Sequence, residues 1–281
     1  MRLKNDLNLK GNELYDMLCL NKDEIIQLKK SEPIKSSPLI VDLNGEYFKK
    51  NDTLGNKDAN SKENSDVNGL DVITVSNTTN WADSYLDVLV HGAYDDTIKN
   101  DMRRMEHIHD HQHNITAKIA NVKDVKAEDI SFQQLGLKGL GAVQCLVFYS
   151  NVRREYNQQL FNMYAMNQVK QHSIGFQYLD LVLCINDSNY KDEFANWQKY
   201  YNEVMNKKVV DKQGYFWAVT KVKVYENSAV LWGANELTST LSISNLKNAK
   251  FVKEEQEEQK QEKEQEQEKK DIKTNSKLYL L

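Results

Sequence analysis

The run YFWAVTKVKV at 215–224, carried on by NSAVL at 227–231, decides the fold. Its β-branched and aromatic content, with Val222 and Val224 alternating against Lys221 and Lys223, is the pattern of a half-buried strand. Working outward, residues 174–185 alternate in the same way, and 142–149 form an apolar run of strand length. Val72, Ile73 and Val75 read as another strand; Leu86, Val88 and Val90 alternate and lead into a turn at His91-Gly92-Ala93. Two stretches have helical spacing: 151–170, through Val152, Tyr156, Leu160, Met163 and Tyr164, and 191–206, through Phe194, Trp197, Tyr201, Val204 and Met205. Strands outnumber helices without a regular strand–helix rhythm, so the expected class is α+β, built on an antiparallel sheet or barrel.

The flanks differ from this centre. Leu14, Met17 and Leu18 share one face of an N-terminal helix, Asn21 with Glu24 suggests a capping box for a second, and the helix stops at Ser31-Glu32-Pro33. Residues 49–68 carry almost no apolar side chain and read as a linker. Residues 253–271 carry none at all, so a coiled coil lacks its a and d positions there. That tail is a solvated spacer or a handle for a partner, with Leu278-Tyr279-Leu280-Leu281 as an apolar end. The expected division is therefore 1–69 for a helical arm and linker, 70–250 for one domain, and 251–281 for a charged tail.

Composition removes several function classes. With 37 basic and 41 acidic residues the net charge is -4, which gives no global basic field for nucleic acid. No apolar run has the length of a membrane span, and residues 1–10 lack a signal-peptide core. Cys19, Cys145 and Cys184 sit in apolar contexts and are expected to be buried free thiols of a reducing compartment.

Chemistry concentrates at His107-Ile108-His109-Asp110-His111-Gln112-His113, which holds four of the six histidines. Imidazole is both a base near neutral pH and a common metal ligand, so both readings are open. The run resembles the histidine-rich signature of metallo-β-lactamase-type hydrolases, one residue short, without the glycine-rich continuation, and with only His172 beyond it. On a strand, a period of two puts His107, His109, His111 and His113 on one face, where His107, His109 and His111 could hold zinc. The acyl-transfer reading needs a nucleophile, a base and an orienting group. Ser173 lies between a helical and a strand pattern, with Gly175 expected to let substrate approach the backbone. His172 is a poor base for Ser173, since adjacent strand residues face opposite ways. Glu226 alternates with Val222 and Val224, and a carboxylate on an apolar face needs a partner unless it ends the strand in solvent.

Taken in order, these pieces resemble the prohead (capsid maturation) serine proteases of tailed bacteriophages, which are related in fold to the herpesvirus assemblins. The matching segments are Leu89-Val90-His91-Gly92-Ala93-Tyr94 with Asp95, Thr97 and Ile98; His107-Ile108-His109-Asp110-His111; Ala117-Lys118-Ile119-Ala120; His172-Ser173-Ile174-Gly175-Phe176; and Tyr225-Glu226-Asn227-Ser228-Ala229-Val230 through Gly233-Ala234-Asn235. The resemblance spans about residues 70–245 and departs at His91, Ala120 and Gly233, where the family has proline, glycine and proline. It implies a small, mostly antiparallel β-barrel flanked by helices. It also implies Ser173 as nucleophile, His111 as base with His109 as the alternative, and Glu226 orienting the base. His107 and His113 are then bystanders. The implied activity is endoproteolysis of capsid and scaffold proteins inside the procapsid, in the host cytoplasm, with self-cleavage and without a cofactor. By analogy with related viral proteases it includes homodimers, and neither nucleic acid nor membrane is a partner. A zinc hydrolase, or a non-catalytic assembly protein on the same fold, is the alternative.

Overall fold

The computed structural model describes residues 9–31 and 68–244. In chain order these form α1 (Asn12–Leu20), α2 (Lys22–Ser31), β1 (Gly69–Thr78), β2 (Asp87–Leu89), α3 (Asp95–Asp101), β3 (Glu106–His109), β4 (Lys118–Ser131), β5 (Ala142–Arg153), α4 (Gln158–Ala165), β6 (Gln171–Ile185), α5 (Lys191–Tyr200), α6 (Lys207–Gln213), β7 (Tyr215–Val230) and β8 (Thr240–Ile243). The linker at 49–68, apart from Asn68, and the tail at 251–281 lie outside the described residues.

β7 organises the sheet. β6 lies antiparallel along one edge of it, from Gln171 opposite Val230 to Ile185 opposite Tyr215. The other edge is shared by two short parallel neighbours, β2 against Trp217–Val219 and β3 against Glu226–Ala229. From β3 the sheet continues antiparallel through β4, β5, β1 and β8, giving eight strands in all. The class is α+β, as the mixture of periodicities indicated.

The expected small barrel is not formed, and the sheet stays open. β6 begins at Gln171 and β8 at Thr240, so the two edges meet only through one isolated bridge, Gln171 to Ser239, with the His172 amide on Thr238 O at 3.0 Å. A closed ladder would need several residues of overlap there.

Three local expectations are also corrected. β5 runs on to Arg153 because Val152 is wholly buried between Leu70 and Ala120, so the helix expected at 151–170 shrinks to α4. The Asn157 side chain caps α4 by accepting from the Leu160 amide at 3.0 Å. The helix expected at 191–206 ends at Tyr200 and passes into a single 3-10 turn. Asn21 does not open a capping box; its amide turns back to donate to Met17 O at 2.8 Å and closes α1.

Side chains of α1 and α2 pack into the main core. Leu14, Leu18 and Ile25 are buried in the same cluster as Trp197, Phe216 and Trp217, each contributing about 2 kcal/mol by burial. Lys29 of α2 reaches the fully buried Asp87 carboxylate at 2.8 and 3.0 Å, and the Tyr178 hydroxyl donates to the same carboxylate. Cys145 and Cys184 are buried free thiols, both pushed up to about 12 by burial; Cys19 is free and half-buried. Among the described residues no helix is long and apolar enough to cross a membrane.

Candidate functional site

Register along β7 assembles the site. Glu226 and Ser228 are two residues apart and so share a face. Gly175 stands opposite Glu226, and Ser173 stands opposite Ser228. Cross-strand partners on one face have Cβ atoms about 5 Å apart. Ser173 therefore lies beside the pair of β7 side chains that hold His111.

His111 reaches that face by leaving its strand. β3 ends at His109, and both Asp110 (φ 49°) and His111 (φ 51°) take the left-handed conformation, which costs a non-glycine residue about 1 kcal/mol each. Hydrogen bonds offset this strain. The Asp110 amide donates to Ala229 O at 3.0 Å, and the His111 amide donates to Ser228 Oγ at 2.8 Å. The ring then lies with Nδ1 on Glu226 Oε1 at 2.6 Å. A carboxylate only accepts, so Nδ1 donates, and in the neutral ring Nε2 keeps its lone pair. Ser173 and His111 are each 6% exposed and Glu226 2%, so the group is shielded from bulk water. Low local dielectric strengthens such a charge-assisted bond.

The turn also separates histidines that a continuous strand would have kept together. His109, still on β3 and two residues from His107, is partly buried with Nδ1 3.1 Å from Asp110 Oδ2, and does not join Glu226. His107 is wholly buried on the face of the sheet away from Glu226, where its Nε2 is 3.1 Å from the Tyr164 hydroxyl. The same hydroxyl is 2.9 Å from His172 Nε2. Burial holds both rings in the neutral form, pushing His107 well below the usual imidazole range and His172 to about 4. His172 thus faces away from Ser173, as strand alternation requires. His107, His109 and His111 have three different partners, and among the described residues no three His, Cys, Asp or Glu side chains converge as a metal site would need.

Gly175 makes room for Glu226. A Cβ there would stand 3.0 Å from Glu226 Cγ and 2.9 Å from Cδ, and closer still to Oε1. The absent side chain is the space in which the carboxylate sits. Gly233 has a comparable reason: its amide donates to Gln171 Oε1 at 3.0 Å, and a Cβ would meet His172 O at 2.6 Å. The proline of the resembled family has no amide hydrogen and does not fit here. Asn235 braces the same exit loop, donating to Thr78 O at 2.9 Å and accepting from the Leu237 amide at 3.0 Å. Leu231 and Trp232, just before it, are exposed.

A small cavity beside Ser173 is also lined by Asn77, Tyr85, Phe176, Tyr178 and Asn235.

Sequence reasoning missed Ser228, whose hydroxyl receives the His111 amide, and the nearness of His113 Nε2 to Glu226 Oε1, 3.7 Å. The alternation that placed Glu226 also places Ser228, which was the available signal; His113 stood in the histidine run, and the resemblance left it a bystander. The chain matches no family model, no curated protein and no solved structure.

Proposed function

We propose that this chain is a serine endopeptidase of the kind that matures tailed-phage procapsids, with Ser173 as nucleophile, His111 as general base and Glu226 as the group that orients the base. The observation that carries the reading is the 2.6 Å contact between His111 Nδ1 and Glu226 Oε1, on the face where Ser173 stands opposite Ser228. Glu226 selects the tautomer with Nε2 free and stabilises the imidazolium that forms when Nε2 takes the Ser173 Oγ proton. Oγ attacks the scissile carbonyl, and the imidazolium returns the proton to the leaving amine. Water then repeats the sequence on the acyl-enzyme, with Nε2 again as base. No step calls for a cofactor.

The substrates in this reading are segments of capsid and scaffold proteins enclosed with the protease in the procapsid, and the protease's own flanks. The wholly polar run at 253–271 suits an extended substrate strand, having no apolar side chain to bury elsewhere. Pairing into homodimers belongs to the same reading.

Wild type and Ser173→Ala, each co-expressed with the virus's capsid and scaffold proteins, provide the test, with mass mapping of every fragment. Wild type should give discrete fragments, and the variant should lower their yield by roughly a thousandfold or more. Identical fragment patterns would remove Ser173 from proteolysis and leave an assembly protein on this fold as the better reading. Intact-mass detection of a fluorophosphonate adduct at Ser173 tests the nucleophile without any assumption about substrate.

A further inference from the structure

Glu226 is approached by two imidazoles, and the second has no role in the triad. His113 follows His111 around a turn closed by the Gln112 amide on His109 O at 3.1 Å and the Asn114 amide on Gln112 O at 2.8 Å. That turn brings His113 Nε2 to 3.7 Å from Glu226 Oε1, the same oxygen that His111 holds at 2.6 Å. The other oxygen, Oε2, is buried and has no hydrogen-bond partner. One carboxylate oxygen thus faces two donors, while its twin faces none.

We propose that His113 is a second positioning residue of the site, holding Glu226 from the solvent side so that one imidazole comes to each carboxylate oxygen. The terminal torsion of a glutamate is soft and nearly two-fold, so the carboxylate turns about Cγ–Cδ at little cost. In the proposed arrangement Oε1 stays with His111 and Oε2, the buried orphan, gains in His113 the partner that such an oxygen needs. The other side-chain hydroxyls on this face are those of Ser173 and Ser228, and the strand positions directly opposite Glu226 offer no donor. β6 offers Gly175 opposite Glu226, and on β3 the opposite residue is Glu106, paired with Lys118 at 2.8 Å. On the loop itself, Asp110 is turned onto His109. The His113 side chain is 38% exposed against 3% for Glu226, so it also covers the carboxylate from water.

The kinetic consequence rests on the serine-protease reading, whereas the geometric one does not, and the two are measured separately in the full chain. Imidazole 15N shifts report the His111 tautomer, and the rate of fluorophosphonate acylation reports Ser173 reactivity. In His113→Leu the carboxylate loses its outer support. The His111 shifts should then move away from the pure Nδ1–H form, and acylation should slow roughly tenfold without weaker probe binding. His113→Gln keeps an amide N–H at similar reach and should stay within about twofold of wild type on both readouts. Unchanged His111 shifts in His113→Leu would overturn the inference, as would an equal loss in His113→Gln. If no variant is acylated while the His111 shifts respond as described, the positioning role stands and the protease reading fails.

Discussion

Replacing Gly175 with alanine puts the proposed chemistry and the packing to one test. The new methyl carbon would stand 2.9 Å from Glu226 Cδ and 3.0 Å from Cγ, whereas non-bonded carbons settle at about 3.5–4 Å. Something must retreat by roughly 0.5–1 Å. Glu226 is the far end of a side chain, while Gly175 is backbone in a paired strand, so the carboxylate gives way. A retreat of that size takes the 2.6 Å bond to His111 beyond about 3.2 Å, the outer edge of a good N–H···O bond. A hydrogen bond to a charged group contributes about 1.5–3 kcal/mol. At 1.4 kcal/mol per tenfold this is roughly a 10- to 100-fold loss in acylation rate or kcat. The overpacking should lower folding stability by about 1–3 kcal/mol at the same time. Fluorophosphonate acylation of Ser173, with thermal unfolding alongside, measures both quantities. Gly92→Ala is the control: it meets only Asp95 Oδ2, at 3.4 Å, and should cost about 1 kcal/mol for its positive φ without slowing acylation. An acylation rate within twofold of wild type and an unshifted His111 spectrum in Gly175→Ala would refute the claim that this glycine makes room for the orienting carboxylate.

The buried imidazoles behind the site predict acid sensitivity. The folded-state value for His172 is about 4, depressed by burial from 6.5, so below pH 6.5 the unfolded chain binds a proton that the folded chain refuses. Stability from this group is therefore intact above about 6.5 and lost as pH falls toward 4, by about 2.5 kcal/mol between pH 7.5 and 4.5. Urea midpoints at the two pH values should show that much smaller a pH-dependent loss in His172→Gln, and parallel losses would contradict it. Lys29→Met should destabilise by about 3 kcal/mol, because it removes the cation paired with the wholly buried Asp87 carboxylate. Lys22→Met, at a more exposed pair with Glu193, should cost less than about 1 kcal/mol; equal costs in denaturant titrations would show that burial is not what separates them.

The strand segments of β1, β5, β6 and β7 were legible because alternation and β-branched residues act locally. β4 beyond Ala120 was not, because Lys123, Asp124, Lys126 and Glu128 hide its period and its pairing with β5 supplies the stability. The start of α4 also escaped, since ladder pairing at Val152 outweighed helical spacing. The likeness to a barrel overstated closure, because the overlap of two distant strand ends leaves no local mark.

What the sequence determined by itself was that Ser173 and Glu226 each lie on a strand and that a histidine run precedes them. Side-chain alternation is a property of each strand alone, so these faces could be read without knowing the neighbours. Tertiary structure decided which strands pair, and with that the placing of Ser173 opposite Ser228 and of Glu226 in the space left by Gly175. It also decided which histidine bonds Glu226. A strand pattern continued through 107–113 puts all four on one face, but two consecutive left-handed residues, neither of them glycine, end the strand after His109. Their strain is held by bonds to Ser228 and Ala229, more than a hundred residues away along the chain. No local propensity could have announced that turn, and it is the turn that carries His111 to Glu226.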